Sequence, residues 1–276
     1  DCGVSHGVLL SGEIHVDLLP VQVASKDTFA SRAIRGRKIA IPWCDLLVID
    51  ECRSVMGTEY RKIVKRMRDR NPKMVVIGLD ATPARADGKG LGDIFDDILT
   101  SATYAELQEA GYLVPIRAYG WDPVDMNDFK GTDAQFEDEA AKRQDKPKLL
   151  GDIVEHWQRL ASDRPTLAFT SRVRHSLHLR DAFVAAGVPA DHLDGNTPPD
   201  ERQAILRDLN NGNTAVVSNC DVLSEGYDNP AVSCIILASP TKSLVKFRQR
   251  SGRGLRPHPG KKDVLVLDHA GSIAMF

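Results

Sequence analysis

Two α/β domains, each a doubly wound parallel sheet with helices on both faces, are the fold predicted from three features of the sequence. Leu46–Ile49 and Met74–Leu79 are short apolar runs that end abruptly at polar residues, Asp50-Glu51 and Asp80. Such runs suit strands buried inside a parallel sheet. From Leu149 to Asp268 strand-like and helix-like patterns alternate, which is the rhythm of βαβ units. Between these regions, Gly120 to Lys148 loses the pattern and carries a net charge of -3, from 5 basic and 8 acidic residues. It is expected to be an acidic linker or insert. The expected division is therefore 1–119, 120–148 and 149–276.

Pro20–Ala24 alternates as a strand, and Ser25-Lys26-Asp27-Thr28 then offers side-chain caps for a helix over Phe29–Arg35. A basic loop, Arg35-Gly36-Arg37-Lys38, precedes the Leu46–Ile49 strand. Met56–Arg70 reads as a helix whose six basic residues are spread around it rather than gathered on one face, as in a solvated surface. After the glycine-rich and acidic stretch Asp87–Asp93, a helix near Tyr104–Ala110 stops at Gly111, and a strand follows over Val114–Tyr119. Beyond the linker come strands at Thr166–Thr170, Pro189–Leu193, Thr214–Asn219, Val232–Ala238 and Val264–Asp268. Helices are expected from Ser171 to Ala186, from Pro198 to Asn210 with proline at its start, and near Ser243–Arg250.

The chain is 276 residues long, 42% hydrophobic and 27% charged, with a formal charge of -2. That length and composition suit two ordinary globular domains. The near-neutral charge gives no bulk attraction for nucleic acid, so such a partner has to be met by local contacts. No apolar run approaches the roughly 18 to 20 residues that span a bilayer. The five cysteines are odd in number and include no C-x-x-C pair, so neither a zinc site nor a disulfide framework is expected. A cytoplasmic, reducing environment is the expectation, with no membrane association.

The chemistry concentrates where strands end. Ligands of open α/β sheets bind at the carboxyl ends of the strands, which places Asp50 and Glu51 in a crevice with Asp80-Ala81-Thr82-Pro83 close by. Adjacent carboxylates there suit magnesium and an attacking water, the Walker B arrangement of nucleotide hydrolases. Asp50-Glu51-Cys52-Arg53, Asp80-Ala81-Thr82-Pro83, Phe169-Thr170-Ser171, Glu225-Gly226-Tyr227-Asp228-Asn229-Pro230 and Gln249-Arg250-Ser251-Gly252-Arg253-Gly254-Leu255-Arg256 follow in that order. Together they resemble motifs II to VI of superfamily 2 helicases, in particular the DEAD/DEAH-like group that includes the DNA-repair ATPase RadD and the motor subunits of type I and III restriction enzymes. Pro240-Thr241-Lys242-Ser243 and Leu267-Asp268-His269-Ala270-Gly271 extend the resemblance over most of the chain.

The resemblance implies two RecA-like domains, the first incomplete, and an enzyme that couples ATP hydrolysis, with Mg²⁺, to translocation along DNA or its unwinding. RNA is not excluded, and a nuclease or repair protein is an implied partner. It further implies that Asp50 holds the metal through its water shell and that Glu51 deprotonates the water. Arg253 and Arg256 would act as arginine fingers, and Gln249 would sit near the γ-phosphate. Gly226, Asp228 and Thr82 would line the nucleotide cleft. Ser25 and Thr28, which equally suit a simple helix cap, would grip the nucleic-acid backbone, as would Thr170, Ser171 and Asn219 in the second lobe.

Two departures from the pattern look coupled. Arg53 stands where His or Asp is usual, and Asp80 where Ser or Thr is usual. Each alone would leave an unpaired charge in the cleft, so an Arg53–Asp80 ion pair coupling the two motifs is expected. A third departure is the absence of any G-x-x-x-x-G-K-[ST] phosphate-binding loop. The chain is accordingly expected to be part of a longer enzyme, truncated at its N-terminus and inactive alone. The alternatives are a non-catalytic nucleic-acid-binding scaffold that has lost this loop, or the motor subunit of a restriction-type nuclease.

Overall fold

A computed structural model describes the chain apart from residues 1–2, 11–12, 16–18, 56, 83–89, 123–124, 127, 221, 224–227 and 276. It divides into two units, 1–99 and 100–276. The first begins with β1 (Gly7–Leu10), β2 (Glu13–His15) and β3 (Gln22–Ala24), ordered β2-β1-β3. β1 runs antiparallel to β2 and parallel to β3. The strands β1 and β2 were not expected, being too short to show a period. A helix follows at once, α1 (Lys26–Phe29), and widens into a π-helical turn over Ala30–Arg35.

Strand β4 (Leu46–Asp50), helix α2 (Thr58–Arg70) and strand β5 (Val75–Leu79) complete the first unit's regular elements. β4 and β5 pair in parallel, from Leu46 opposite Val75 to Asp50 opposite Leu79, so Asp50 and Asp80 emerge at the same end. Helix α2 buries one stripe, Ile63, Val64 and Met67, against Leu47 and Val76 of the sheet. The sequence predicted both strands buried on both faces, and this is corrected. Leu46, Val48, Val75, Ile77 and Leu79 remain 43–55% exposed, because α2 packs on the opposite face only. Gly78 is required by packing rather than by its torsions, since a Cβ there would lie 2.7 Å from Cys52 Sγ and 2.6 Å from Phe95.

The second unit starts earlier than residue 149. After α3 (Tyr104–Glu109), the strand β6 (Ile116–Gly120) pairs in parallel with a strand about 150 residues later, Val264–Asp268. Residues 100–119 therefore belong here and not to the first lobe as expected. Nor is the acidic stretch a plain linker. It holds α4 (Asp133–Gln144), started by a Thr132/Gln135 capping box, and runs into α5 (Pro147–Ala161).

The remaining elements are β7 (Thr166–Thr170), α6 (Val173–Ala185), β8 (Ala190–Leu193), α7 (Pro199–Asn211), β9 (Val216–Cys220), β10 (Cys234–Leu237), α8 (Leu244–Gly252) and β11 (Val264–Asp268). The six strands form one parallel sheet in the order β6-β11-β10-β7-β9-β8. The central strands β7, β10 and β11 are buried along their whole length. Trp157 of α5 anchors one face, edge-on to Phe183 at 5.4 Å and donating its indole N–H to Thr166 Oγ1 at 2.7 Å. Burying an aromatic of this size stabilises the unit by about 4 kcal/mol on an area basis.

Two histidines are buried in the neutral form. Burial holds His175 at about 4 against the pull of Asp145, and burial with the neighbouring His156 holds His269 at about 3. Both values lie below that of an unfolded histidine, so the unfolded chain takes up these protons first. Stability is then complete above about pH 6.5 and falls toward pH 4, by about 1.4 kcal/mol per pH unit for each group. The thermal midpoint is expected to drop steadily between pH 6.5 and 4.5, and less steeply in His269→Gln. Equal slopes for the two proteins would show that His269 is not held neutral.

Candidate functional site

In the first unit the sequence turns sharply at the end of β4. Glu51 adopts a left-handed backbone, φ 51° and ψ 48°, a conformation costly for a residue with a side chain and most often retained where function needs it. Asp50 Oδ1 accepts the Glu51 N–H at 3.0 Å, which braces the turn. The chain then enters a short 3-10 turn, Cys52–Ser54, that carries Arg53 toward Asp80.

Asp80 gathers this corner together. Its carboxylate accepts the Arg53 backbone N–H at 2.9 Å and the Thr82 N–H at 2.8 Å. It also takes the Arg53 guanidinium at 3.2 Å and is 1% exposed. The expected Arg53–Asp80 pair is present. A buried carboxylate with this many donors is compensated, whereas removing one partner would strand a charge. The sequence did not show that the same Arg53 nitrogen also pairs with the Glu51 carboxylate. Glu51 keeps a side chain 46% exposed, so its carboxylate still reaches solvent. Asp50 is exposed, while Thr82 is buried and held through its backbone.

Ser25 and Thr28 are engaged with each other. Ser25 Oγ accepts the Thr28 N–H at 3.3 Å and donates to Thr28 Oγ1 at 2.8 Å, the arrangement of an N-cap. The cap reading of these residues is therefore satisfied within the helix start.

In the second unit the expected backbone-gripping residues divide. Thr170 and Asn219 are fully buried. The single Thr170 hydroxyl proton is shared between the Asn219 and Arg172 carbonyls, at 3.1 and 3.2 Å, and Asn219 Nδ2 donates to the Ala168 carbonyl at 2.9 Å. Both brace the ends of β7 and β9 instead of facing outward. Ser171 is half-buried, and its hydroxyl donates to the Glu137 carbonyl of α4 at 2.9 Å. This role for α4 had no signal in the sequence. Glu137 also accepts from Thr241 Oγ1 at 2.6 Å and Lys246 Nζ at 2.8 Å, and Asp138 pairs with Arg172 at 2.7 Å. The acids of the supposed linker thus neutralise the cations beside the sheet's carboxyl end.

Arg253 and Arg256 follow α8, and the loop holding them is tightly packed. A Cβ at Gly254 would lie 2.3 Å from Val264, so glycine is the residue that lets this loop lie against the sheet. Arg256 pairs with Asp228, joining two residues that the sequence had placed in one cleft. Gly226 lies outside the described residues, with Glu225 and Tyr227. Gln249 is half-buried on α8. The completely buried Arg250 lies over the Phe169 ring at 6.0 Å and joins α8 to the sheet. Its full burial had no signal in a sequence where it is one arginine among four.

Comparison with known proteins places these features. Residues 145–258 match the helicase conserved C-terminal domain. The chain is 34% identical over 239 residues to irc3 of Schizosaccharomyces pombe, named as a mitochondrial ATP-dependent helicase, covering 83% of this chain and 38% of that protein. It thus spans well under half of that relative. Its fold resembles a fragment of an HsdR subunit of a type I restriction enzyme from Vibrio vulnificus, with TM-score 0.69, 17% identity, and coverage of 99% of this chain and 52% of that one. It also resembles Saccharomyces cerevisiae Dbp5 bound to RNA and ADP BeF3, with TM-score 0.60, 14% identity, and coverage of 99% and 66%. Residues 145–258 thus carry the helicase conserved C-terminal domain on a six-stranded parallel sheet of the RecA-like type, and the chain is similar to ATP-dependent helicases over most of its length.

Proposed function

We propose that the full-length protein is a nucleic-acid-dependent ATPase that couples ATP hydrolysis to translocation along DNA or to its unwinding. The observation that carries this reading is the corner at the end of β4. There Asp50 and a half-exposed Glu51 stand beside Asp80 and Thr82, with Glu51 in a left-handed backbone. The ATP dependence named for irc3 supports it.

Among the described residues no group of three or more His, Cys, Asp or Glu side chains is arranged to hold a metal. Magnesium commonly binds through one or two carboxylates, its own waters and substrate phosphates. Asp50 would hold it, and the ion would supply charge neutralisation at the phosphates. Glu51 orients the water and accepts its proton. Arg53, paired to both Glu51 and Asp80, fixes the carboxylate's direction. By the motif resemblance, Arg253 and Arg256 would offset charge on the transferred oxygens, and Gln249 would act at the γ-phosphate. Asp228 orients Arg256 through their ion pair. Nucleic acid would be gripped through backbone phosphates, which confers no sequence preference.

DNA is the proposed polymer because the motif pattern is that of the DNA-acting group. The test is ATP hydrolysis by the full-length product with and without single-stranded DNA, duplex DNA or RNA. Stimulation by DNA supports the proposal, and stimulation by RNA alone reassigns the polymer. Nucleic-acid binding without hydrolysis would identify a non-catalytic scaffold.

A further inference from the structure

Just beyond the motif that carries Arg253 and Arg256, a tight turn brings Lys261 back across the loop. Gly260 takes φ +81°, and the Lys261 N–H donates to the His258 carbonyl at 3.0 Å. The ammonium then meets three backbone carbonyls, those of Pro230 at 2.9 Å, Val232, and Arg256 at 2.9 Å. Lysine has three N–H donors and no acceptor, so every proton is used. Burial, with Arg164 next in effect, lowers Lys261 to about 8, which leaves it charged at neutral pH. Arg164 is itself occupied by Asp263 at 2.6 Å, and Asp263 also takes Arg117 at 2.8 Å.

These three carbonyls lie on two segments. Pro230 and Val232 follow Asp228 in the chain, and Arg256 is the residue whose side chain pairs with Asp228. One ammonium therefore ties together the two backbones that carry this ion pair. The pair itself is about half exposed, 52% and 58%. Exposed pairs hold geometry weakly. A half-buried cation bonded to three carbonyls is a firmer constraint, because losing it leaves those carbonyls short of donors.

We infer that Lys261 is a positioning residue which, by tethering the 230–232 segment to the backbone of Arg256, sets where the Arg256 guanidinium stands relative to Asp228. Its consequence for turnover rests on the ATPase reading above. The tether itself does not.

The experiment has two arms on the full-length protein. Hydrogen exchange of peptides covering 228–234 and 253–258 is compared between wild type and Lys261→Met, with Lys261→Gln as a milder variant should the first fail to fold. Faster exchange in both peptides, with the rest of the second unit unchanged, is expected. Unchanged exchange overturns the tether whatever the activity shows. In the second arm, DNA-stimulated ATPase is measured for K261M, R256A and the double variant. K261M is expected to lower kcat about 10- to 100-fold, as for a misplaced group, with KM for ATP little changed. The double variant should be no worse than R256A, since coupled residues are not additive. Multiplicative losses would show that Lys261 does not act through Arg256. A wild-type protein without stimulated hydrolysis would defeat the ATPase reading and leave the exchange arm to decide the tether.

Discussion

Replacing Glu51 by glutamine in the full-length protein is expected to lower nucleic-acid-stimulated ATP hydrolysis about 10²- to 10⁴-fold, the usual worth of a positioned general base. The substitution is chosen for what it preserves. Glutamine has the same length, keeps an oxygen for the Arg53 guanidinium and adds no bulk to a residue with a left-handed backbone. The Asp50 brace and the Asp80 contacts to Arg53 and Thr82 do not involve the Glu51 side chain. What is lost is the negative charge, and with it the capacity to take a proton, while Arg53 keeps its pairing with Asp80, so kcat should collapse while KM for ATP and nucleic-acid affinity stay near wild type. Single-turnover hydrolysis measured beside equilibrium nucleotide binding separates the two. A variant within a few-fold of wild type in kcat would remove Glu51 from the chemistry.

Truncating Arg253 to alanine is expected to cost more, about 10³- to 10⁵-fold, the range documented for arginine fingers. The backbone there is fixed by the end of α8, where the Arg253 N–H donates to the Arg250 carbonyl at 3.3 Å, and by the close packing of Gly254 on Val264. The side chain can therefore be removed with the loop still seated. Lysine at 253 should recover little, because a point charge does not reproduce a planar guanidinium fork. Steady-state kcat for R253A and R253K, with thermal midpoints to show an intact second unit, is the measurement. Arg253→Lys with near-normal turnover would demote the residue to a general source of positive charge.

Glu51 and Arg253 were singled out in the sequence by their places in an ordered set of motifs, and their roles are what the two measurements above test. The Arg53–Asp80 pair was legible as two unusual charges that cancel. Elements whose meaning depends on distant partners were not. Strand β6 looks like any five-residue strand, and only its pairing with β11 shows which sheet it completes. The acidic run at 137–139 reads as solvated, yet Glu137 is committed to Thr241 and Lys246 more than 100 residues away. Nothing in the local sequence Gly260-Lys261-Lys262 sets Lys261 apart from its neighbour. Its ring of carbonyls exists only after folding. The outward faces of β4 and β5 were misjudged because a uniformly aliphatic run does not reveal which of its faces a helix covers.

The place of β6 at the margin of the six-stranded sheet bears on how this protein can be divided for laboratory work. A piece cut at the seeming start of the C-terminal domain, residue 149, would strip that margin and uncover the backbone donors and acceptors of β11, a ready template for unwanted pairing with other molecules. It would also discard the helix whose acids quiet Arg172 and Lys246. The severable unit suggested by the strand order begins near Thr100.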